Sequence, residues 1–223
     1  MVEAPGILLG SMTFHPPDCS NQYFFFAEMK TRLILCVSLC LLAFSVPTEE
    51  PSSWSIDAVH SNIGFKVRHL GISNVRGEFV DYDAEILMDG TDLSTLMVSA
   101  TIEAGSIDTG NERRDGHLRS DDFFGAEEFP NITFTSTEVT NIEGNNFHLV
   151  GDLTIRDVTQ SVALESEFLG TTKMGDSERA GFEARTVINR KEFNLSWDQL
   201  TEAGGFIVGH NVEIILELEV IKD

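Results

Sequence analysis

Hydrophobic and polar side chains alternate, one residue at a time, along most of this 223-residue chain. In NVEIILELEV (211–220) an aliphatic residue stands at every even position, and glutamate stands at three of the odd ones. The same period of two appears in NIGFKVRH (62–69), LMVSATIEA (96–104) and NFHLVGDLTIRD (146–157). Because successive side chains of a strand point to opposite faces, this pattern predicts antiparallel strands with one buried face and one wet face.

Eight segments of this kind predict an all-β domain. They are residues 54–69, 75–89, 94–107, 131–140, 146–156, 160–172, 178–190 and 207–222. Many strands with one apolar face close best into an antiparallel barrel, because closure leaves no exposed sheet edge. The interval 109–130 lacks the period and carries Asn111 and Asp121 as candidate N-caps. We therefore expect an eight-stranded barrel with one or two short helices across one end.

A different pattern precedes the barrel. MKTRLILCVSLCLLAFS (29–45) has two basic residues, then an apolar run and then small residues. This order is typical of a signal peptide, whereas a bilayer-spanning helix needs about 20 apolar residues. The alternative is an uncleaved anchor or a buried core helix. The predicted organisation is an upstream extension from a misplaced start (1–28), a signal peptide (29–45), a short leader (46–53) and one barrel domain (54–223).

Export predicts a periplasmic or secreted bacterial protein. Cys19, Cys36 and Cys40 all lie upstream of residue 46, so the remainder has no thiol for a disulfide or a metal. Of the 36 acidic and 15 basic residues of the chain, residues 46–223 keep 33 and 13, a net charge of −20. Such a charge argues against nucleic-acid binding and offers no reason to expect a general affinity for anionic membranes.

Candidate catalytic groups are few. His60 and His69 are nine residues apart in one predicted strand, so a regular strand places them on opposite faces, which disfavours a shared metal. RRDGHLR (113–119) gathers Arg114, Asp115 and His117, either as a catalytic or anion-binding cluster or as a network that pins the helical segment to the barrel. The chain has no nucleophile elbow, zinc-protease motif, P-loop or dinucleotide fingerprint. We therefore predict no enzyme, no cofactor and no metal.

Six sequence blocks resemble those of the YceI family of periplasmic polyisoprenoid-binding proteins. In chain order they are AVHSNIGFKVRHLGISNVRGEF, SIDTGNERRDGHLRSDDFF, FPNITFTST, GDLTIRDVTQSV, INRKEFNL and VGHNVEIILELEV. The resemblance covers residues 54–220. It implies an extended lipocalin-like barrel, exported in bacteria, with a long apolar tunnel for isoprenoid quinones, polyprenyl lipids or other long-chain amphiphiles.

On this interpretation the barrel binds or stores a long-chain lipid, without a membrane span of its own. The inward strand faces predict the apolar tunnel wall as Phe65, Val67, Phe79, Ile86, Leu96, Val98, Phe134, Phe147, Leu149, Phe182, Ile188 and Leu216. The predicted polar mouth, which would meet the lipid head group, consists of His60, Arg114, Asp115 and His117. Two alternatives stay open: a filled barrel acting as an interaction or stress-response module, and a hydrolase or redox enzyme. The sequence also leaves open whether the barrel forms a homodimer.

Overall fold

The computed structural model describes residues 51–202 and 204–223. The strands are β1 (Ser52–Ile56), β2 (Asn62–His69), β3 (Ser73–Phe79), β4 (Tyr82–Asp89), β5 (Asp92–Glu103), β6 (Ile107–Asp108), β7 (Asn131–Glu143), β8 (Asn146–Ile155), β9 (Val158–Met174), β10 (Ser177–Asn189) and β11 (Val208–Lys222). The α-helix α1 spans Glu112–Arg119, and short 3₁₀ turns span Ala104–Ser106 and Arg190–Phe193. The predicted extension, the signal peptide and most of the leader (1–50) lie outside the described residues.

The strands form one closed antiparallel barrel. Hydrogen bonds join β1, β4, β5, β7, β8, β9, β10 and β11 in that order, and β11 pairs again with β1. β2, β3 and β6 pair beside β11 in that order. Each is one half of a long strand, and the three long strands are β1–β2, β3–β4 and β5–β6. These three composite strands correspond to the first three predicted segments. The predicted eight-stranded antiparallel barrel is therefore confirmed.

Each composite strand is interrupted at a bend that the alternation did not reveal. The gaps are residues 57–61, 80–81 and 104–106. Hydrogen bonds still join neighbouring gaps. The Val80 amide donates to the Ser106 carbonyl at 3.3 Å, and the hydroxyl of Tyr82, the first residue of β4, donates to the Ser61 carbonyl at 2.9 Å. Because the backbone groups at the bends keep partners, the strands can coil around the interior without leaving orphaned polar groups.

One helix lies in the aperiodic interval. Asn111 caps it as predicted, because its Oδ1 accepts the amide hydrogen of Arg114 at 3.1 Å. The prediction that Asp121 caps a second helix is wrong: residues 121–124 form turns, which the amide of Phe124 fastens to the Leu118 carbonyl at 3.0 Å. Among residues 51–202 and 204–223, no helix is long and apolar enough to cross a membrane.

The inner face of the barrel follows the alternation. On β8 the five inward residues are all buried: Phe147, Leu149, Gly151, Leu153 and Ile155. Gly151 has a packing reason to lack a side chain, because a Cβ there would stand 2.5 Å from the Phe134 ring. That ring therefore lies close to the β8 backbone at Gly151 and forms part of the interior wall.

A polar network fastens the first bend to the outside of the barrel. The Arg179 guanidinium on β10 binds Asp57 Oδ2 at 2.7 Å and also binds the Glu219 carboxylate on β11. His60 Nδ1 lies 3.0 Å from the same Asp57 oxygen. Asp57, His60 and Glu219 could surround a metal ion by distance alone, but the guanidinium already supplies the positive charge between the two carboxylates. We interpret the group as an ion-pair network.

We expect Asp57→Asn to destabilise the fold at neutral pH and to lose this effect in strong acid. Hydrogen bonds from His60 and Arg179 hold the pKa of Asp57 at about 2, below its ordinary 3.8. A carboxyl whose pKa is lowered by folding stabilises the fold above its unfolded-state pKa, and this contribution disappears as the pH falls through the folded-state pKa. Urea unfolding should therefore show a constant difference between wild type and variant above about pH 5, shrinking between about pH 4 and pH 2.

The matched control for this measurement is Asp152→Asn, on the exposed face of β8. It should change the urea midpoint little at any of these pH values. A difference between wild type and Asp57→Asn that does not vary with pH would contradict the assignment of the stabilisation to the Asp57 carboxylate.

Candidate ligand-binding site

An apolar cavity runs inside the barrel. Its volume is about 220 Å³, whereas a single water needs only about 10–15 Å³. All eight long strands contribute to the wall, and Leu118, Phe123 and Phe124 contribute from the helical segment. Along β11 the wall runs from Val208 to Leu218, which at about 3.3 Å per residue and a strand tilt near 40° corresponds to a bore on the order of 25 Å long.

The structure places all twelve predicted tunnel residues on the wall of this cavity. They are Phe65, Val67, Phe79, Ile86, Leu96, Val98, Phe134, Phe147, Leu149, Phe182, Ile188 and Leu216. The alternation identified them because a residue that points inward in a barrel with an open centre is also a residue that faces the cavity. Their contact with a lipid stays a prediction.

Other wall residues were missed. Ala84, Ala100 and Ala184 share the inward faces of their strands, so the alternation could have identified them, but their small side chains stand out less than phenylalanine or leucine. Leu118 and Phe123 come from the segment without a period and could not have been assigned to a face. The three alanines matter because they leave the space that larger side chains would fill.

Two buried polar side chains interrupt the apolar wall, and the exposed Glu183 also borders the cavity. Ser166 on β9 is buried, and its Oγ donates to the Leu164 carbonyl at 3.1 Å. Arg190, at the end of β10, is only 2% exposed. Nothing in the alternation marked either residue as part of a cavity, because each replaces an expected apolar side chain at an inward position.

All three nitrogens of the Arg190 guanidinium form hydrogen bonds within the protein. Its Nε donates to the Gly209 carbonyl at 3.0 Å, Nη1 donates to the Leu195 carbonyl, and Nη2 lies 2.8 Å from Asp198 Oδ1 and 3.3 Å from the Val208 carbonyl. These bonds tie β10, the loop at 195–198 and the start of β11 together. Arg190 therefore closes the cavity at the end where α1 lies. Its positive charge is already paired with Asp198, so it is not available to a ligand in the bore.

The four residues predicted to form the polar mouth are not brought together on the cavity wall. His60 lies at the first bend, whereas the other three lie on α1. Asp115 is buried and accepts the Thr109 amide hydrogen at 3.0 Å, and Arg114 donates to the Thr109 hydroxyl at 2.7 Å and to its carbonyl at 2.8 Å. Their polar groups therefore bind the backbone before α1. None of the four lines the apolar cavity, and their contact with a head group stays a prediction.

The contacts around α1 are those of the pinning network that the sequence left open as an alternative. Arg119 donates from Nε to the Gly105 carbonyl at 2.6 Å and from Nη2 to the Ile107 carbonyl at 2.8 Å, which fastens the helix to the end of the barrel. His117 packs edge-on against Phe123 at 5.0 Å and Trp197 at 5.4 Å between ring centres. Since Phe123 also lines the cavity, this aromatic group covers one end of the bore.

Comparisons with known proteins agree with this geometry. The model of the YceI-like domain matches residues 54–220. A UPF0312 protein of Staphylococcus epidermidis is 40% identical over 174 residues, covering 77% of this chain and 99% of that protein. The crystal structure of the Campylobacter jejuni YceI protein is 33% identical, with a TM-score of 0.61 over 75% of this chain and 96% of that one. A polyisoprenoid-binding domain from Saccharophagus degradans has a TM-score of 0.58 at 15% identity, covering 77% and 99%.

Fold and site thus define a closed antiparallel β-barrel with an apolar bore. The chain belongs to the YceI-like family, because the family model covers most of the chain and relatives at 38–40% identity are covered almost end to end. The resemblance found in the sequence is confirmed.

Proposed function

We propose that this protein binds a long-chain amphiphilic lipid, of isoprenoid type, inside the barrel for carriage or storage. The observation that carries the proposal is the cavity of about 220 Å³ with a nearly continuous apolar wall. An unfilled core cavity costs about 24 cal/mol per Å³, so this one corresponds to about 5 kcal/mol. That is comparable with the whole stability of many domains, which favours a cavity that is filled by a ligand.

The wall selects an apolar ligand. Burial stabilises a chain by about 25 cal/mol per Å² of apolar surface removed from water, and a chain in a narrow bore is covered on all sides. A charged group inside would need a partner, and the one cation on the wall, Arg190, is already bound to Asp198 and three carbonyls. The polar head group therefore belongs outside the apolar bore.

The length of the bore supports a long-chain ligand such as an isoprenoid. A bore on the order of 25 Å suits an extended chain better than a compact ligand. The Saccharophagus domain is described as polyisoprenoid-binding, but at 15% identity that likeness carries the fold alone. The proposal for this chain rests on its own cavity. A filled barrel serving only as an interaction module finds no support in an interior with this much open space.

Mass spectrometry of an organic extract of the purified protein tests the proposal. We expect a long-chain lipid in near-stoichiometric amount, because a ligand enclosed on all sides dissociates slowly. The matched sample is an extract of an unrelated protein of the same net charge, purified from the same cells. Repeated absence of a lipid that is specific to this protein, together with failure to take up added geranylgeraniol, would overturn the proposal.

We also propose that the protein is exported, on the basis of the 29–45 segment. We expect protein recovered from the cell envelope to begin close to residue 46. N-terminal sequencing checks this, and a mature start upstream of Met29 would contradict it.

A further inference from the structure

We propose that the β2–β3 hairpin is a docking element for anionic lipid bilayers, with an apolar tip that enters the head-group layer and a cationic stem that contacts the phosphates. The hairpin comprises residues 66–76. The inference goes beyond the proposed function, because binding to a bilayer surface does not require a ligand in the cavity.

The tip of the hairpin exposes large apolar side chains. Ile72 is 84% exposed and Leu70 is 43% exposed. Leu70 also has a backbone φ of +52°, a conformation that favours glycine or asparagine and disfavours leucine. The non-glycine residues with this conformation elsewhere in the described chain are two asparagines and an arginine. Turn geometry therefore does not explain a leucine at this tip, and neither does burial.

A second hairpin extends the apolar surface. The amide of Leu70 donates to the Ile207 carbonyl at 2.9 Å, so the tip lies against the segment 199–207. In that segment Leu200 pairs with Phe206, and these two side chains are 57% and 44% exposed. Four exposed apolar side chains thus come from two hairpins that touch each other at one end of the barrel.

The stem of the hairpin carries the opposite charge to the rest of the protein. Residues 66–76 contain Lys66, Arg68 and Arg76 and no acidic residue, in a chain whose net charge is −21. Lys66 is paired with Glu213, but Arg68 and Arg76 form no ion pair with any other residue in the described part of the chain. Both arginines are exposed. Uncompensated cations beside an apolar tip match the phosphates and acyl chains of an anionic bilayer.

Among residues 51–202 and 204–223, the other end of the barrel has no cluster of apolar side chains beside a stem that carries only cations. The β4–β5 turn carries Asp89 and Asp92, and the β9–β10 turn carries Asp176 beside Glu178. An exposed apolar residue is present there too, since Met174 is 66% exposed. Its neighbour Lys173 is a cation, but Lys173 lies opposite Glu178 in the β9–β10 ladder, and the turn also carries Asp176. Acidic residues also lie at the hairpin end, and Glu202 stands between Leu200 and Phe206. Within the β2–β3 hairpin itself, however, all the charged side chains are cations, so the hairpin is the part of this end that an anionic surface attracts. The inner face of the same hairpin supplies Val67 to the cavity wall, and Phe65 precedes it on β2, so docking brings the bilayer next to the end of the bore that Arg190 closes.

Vesicle sedimentation tests the docking element, using the full-length protein as it is purified from cells. We expect binding to vesicles of phosphatidylcholine and phosphatidylglycerol in equal parts, weaker binding to phosphatidylcholine alone, and weakening by salt. Ile72→Asp should reduce the partition coefficient about tenfold. Arg68→Gln combined with Arg76→Gln should reduce it about twenty-fivefold, since each cation near such a surface contributes about a factor of five. Met174→Asp, at the opposite end, should bind as wild type does.

Hydrogen exchange separates docking by this hairpin from insertion of the upstream apolar run. With vesicles, residues 69–73 should gain protection and residues 174–177 should not. Three outcomes would each overturn the inference. The first is equal binding by wild type and Ile72→Asp, and the second is an equal loss of binding in Met174→Asp. The third is protection of residues 69–73 by a protein partner without any effect of vesicles. Retention of extractable lipid is measured on the same samples, so that a chain that holds lipid but ignores vesicles refutes the docking element alone.

Discussion

Replacing Ala184 by tryptophan should abolish lipid retention while leaving the barrel folded. Ala184 faces the cavity from β10, where it pairs with Leu216 on one side and Ser166 on the other. An indole at this position enters the bore and excludes part of the lipid chain. Excluding about four methylene-sized groups costs about 3 kcal/mol, which is about a hundredfold in affinity. Binding of geranylgeraniol, followed by extraction and mass spectrometry, measures the loss.

The stability of the same variant distinguishes a blocked cavity from a damaged fold. Filling open space recovers part of the cost of the cavity, and overpacking opposes this by about 1–3 kcal/mol. We therefore expect the ligand-free variant to melt close to or above ligand-free wild type. Arg185→Trp is the matched control, because it adds the same indole one residue further along β10 on the outer face. Undiminished lipid binding by a folded Ala184→Trp variant would show that the ligand lies elsewhere.

Replacing Arg190 by methionine should lower the free energy of unfolding by about 3–5 kcal/mol. The loss leaves the carbonyls of Leu195, Val208 and Gly209 without their donor at the end of the barrel. It also leaves Asp198 with fewer cationic partners. A lysine is a poor substitute, because a single ammonium cannot reach partners arranged around a planar guanidinium. Urea unfolding of both variants measures these differences.

Lys191→Met is the matched control for Arg190. Lys191 binds the other oxygen of Asp198 but is partly exposed, so its removal should cost less than about 1 kcal/mol. If the free energy of unfolding of Arg190→Met lay within about 1 kcal/mol of that of wild type, other contacts would hold this end of the barrel. The burial of Arg190 would then need a different explanation.

The cavity wall could be predicted because it depends on local chemistry. A strand exposes alternate side chains to opposite faces, and in a closed barrel one of these faces is the interior. Phe65 on β2 and Leu216 on β11 are far apart in the sequence, yet each is assigned to the interior by its immediate neighbours. Asn111 was identified as an N-cap for the same reason, since capping depends on a side chain and the amide three residues later.

The predicted polar mouth shows where such reasoning ends. Arg114, Asp115 and His117 were chosen as polar groups close together near one end of the sheet. Their partners depend on how the segment 109–130 folds back. Arg114 and Asp115 form hydrogen bonds with Thr109, and Trp197 packs against the His117 ring. Trp197 is eighty residues away in sequence. No pattern within the RRDGHLR segment could have indicated that contact.

The sequence by itself therefore determined the barrel, its inward faces and its family, because alternation and turn residues act over a few neighbouring positions. Only the tertiary structure decided that the interior stays open, that Arg190 closes one end, and that the β2–β3 hairpin places exposed Leu70 and Ile72 above uncompensated arginines. Whether a barrel is filled or hollow depends on the combined volume of side chains from all eight strands. Whether a charge is compensated depends on neighbours from other strands, and these distances exist only in the folded chain.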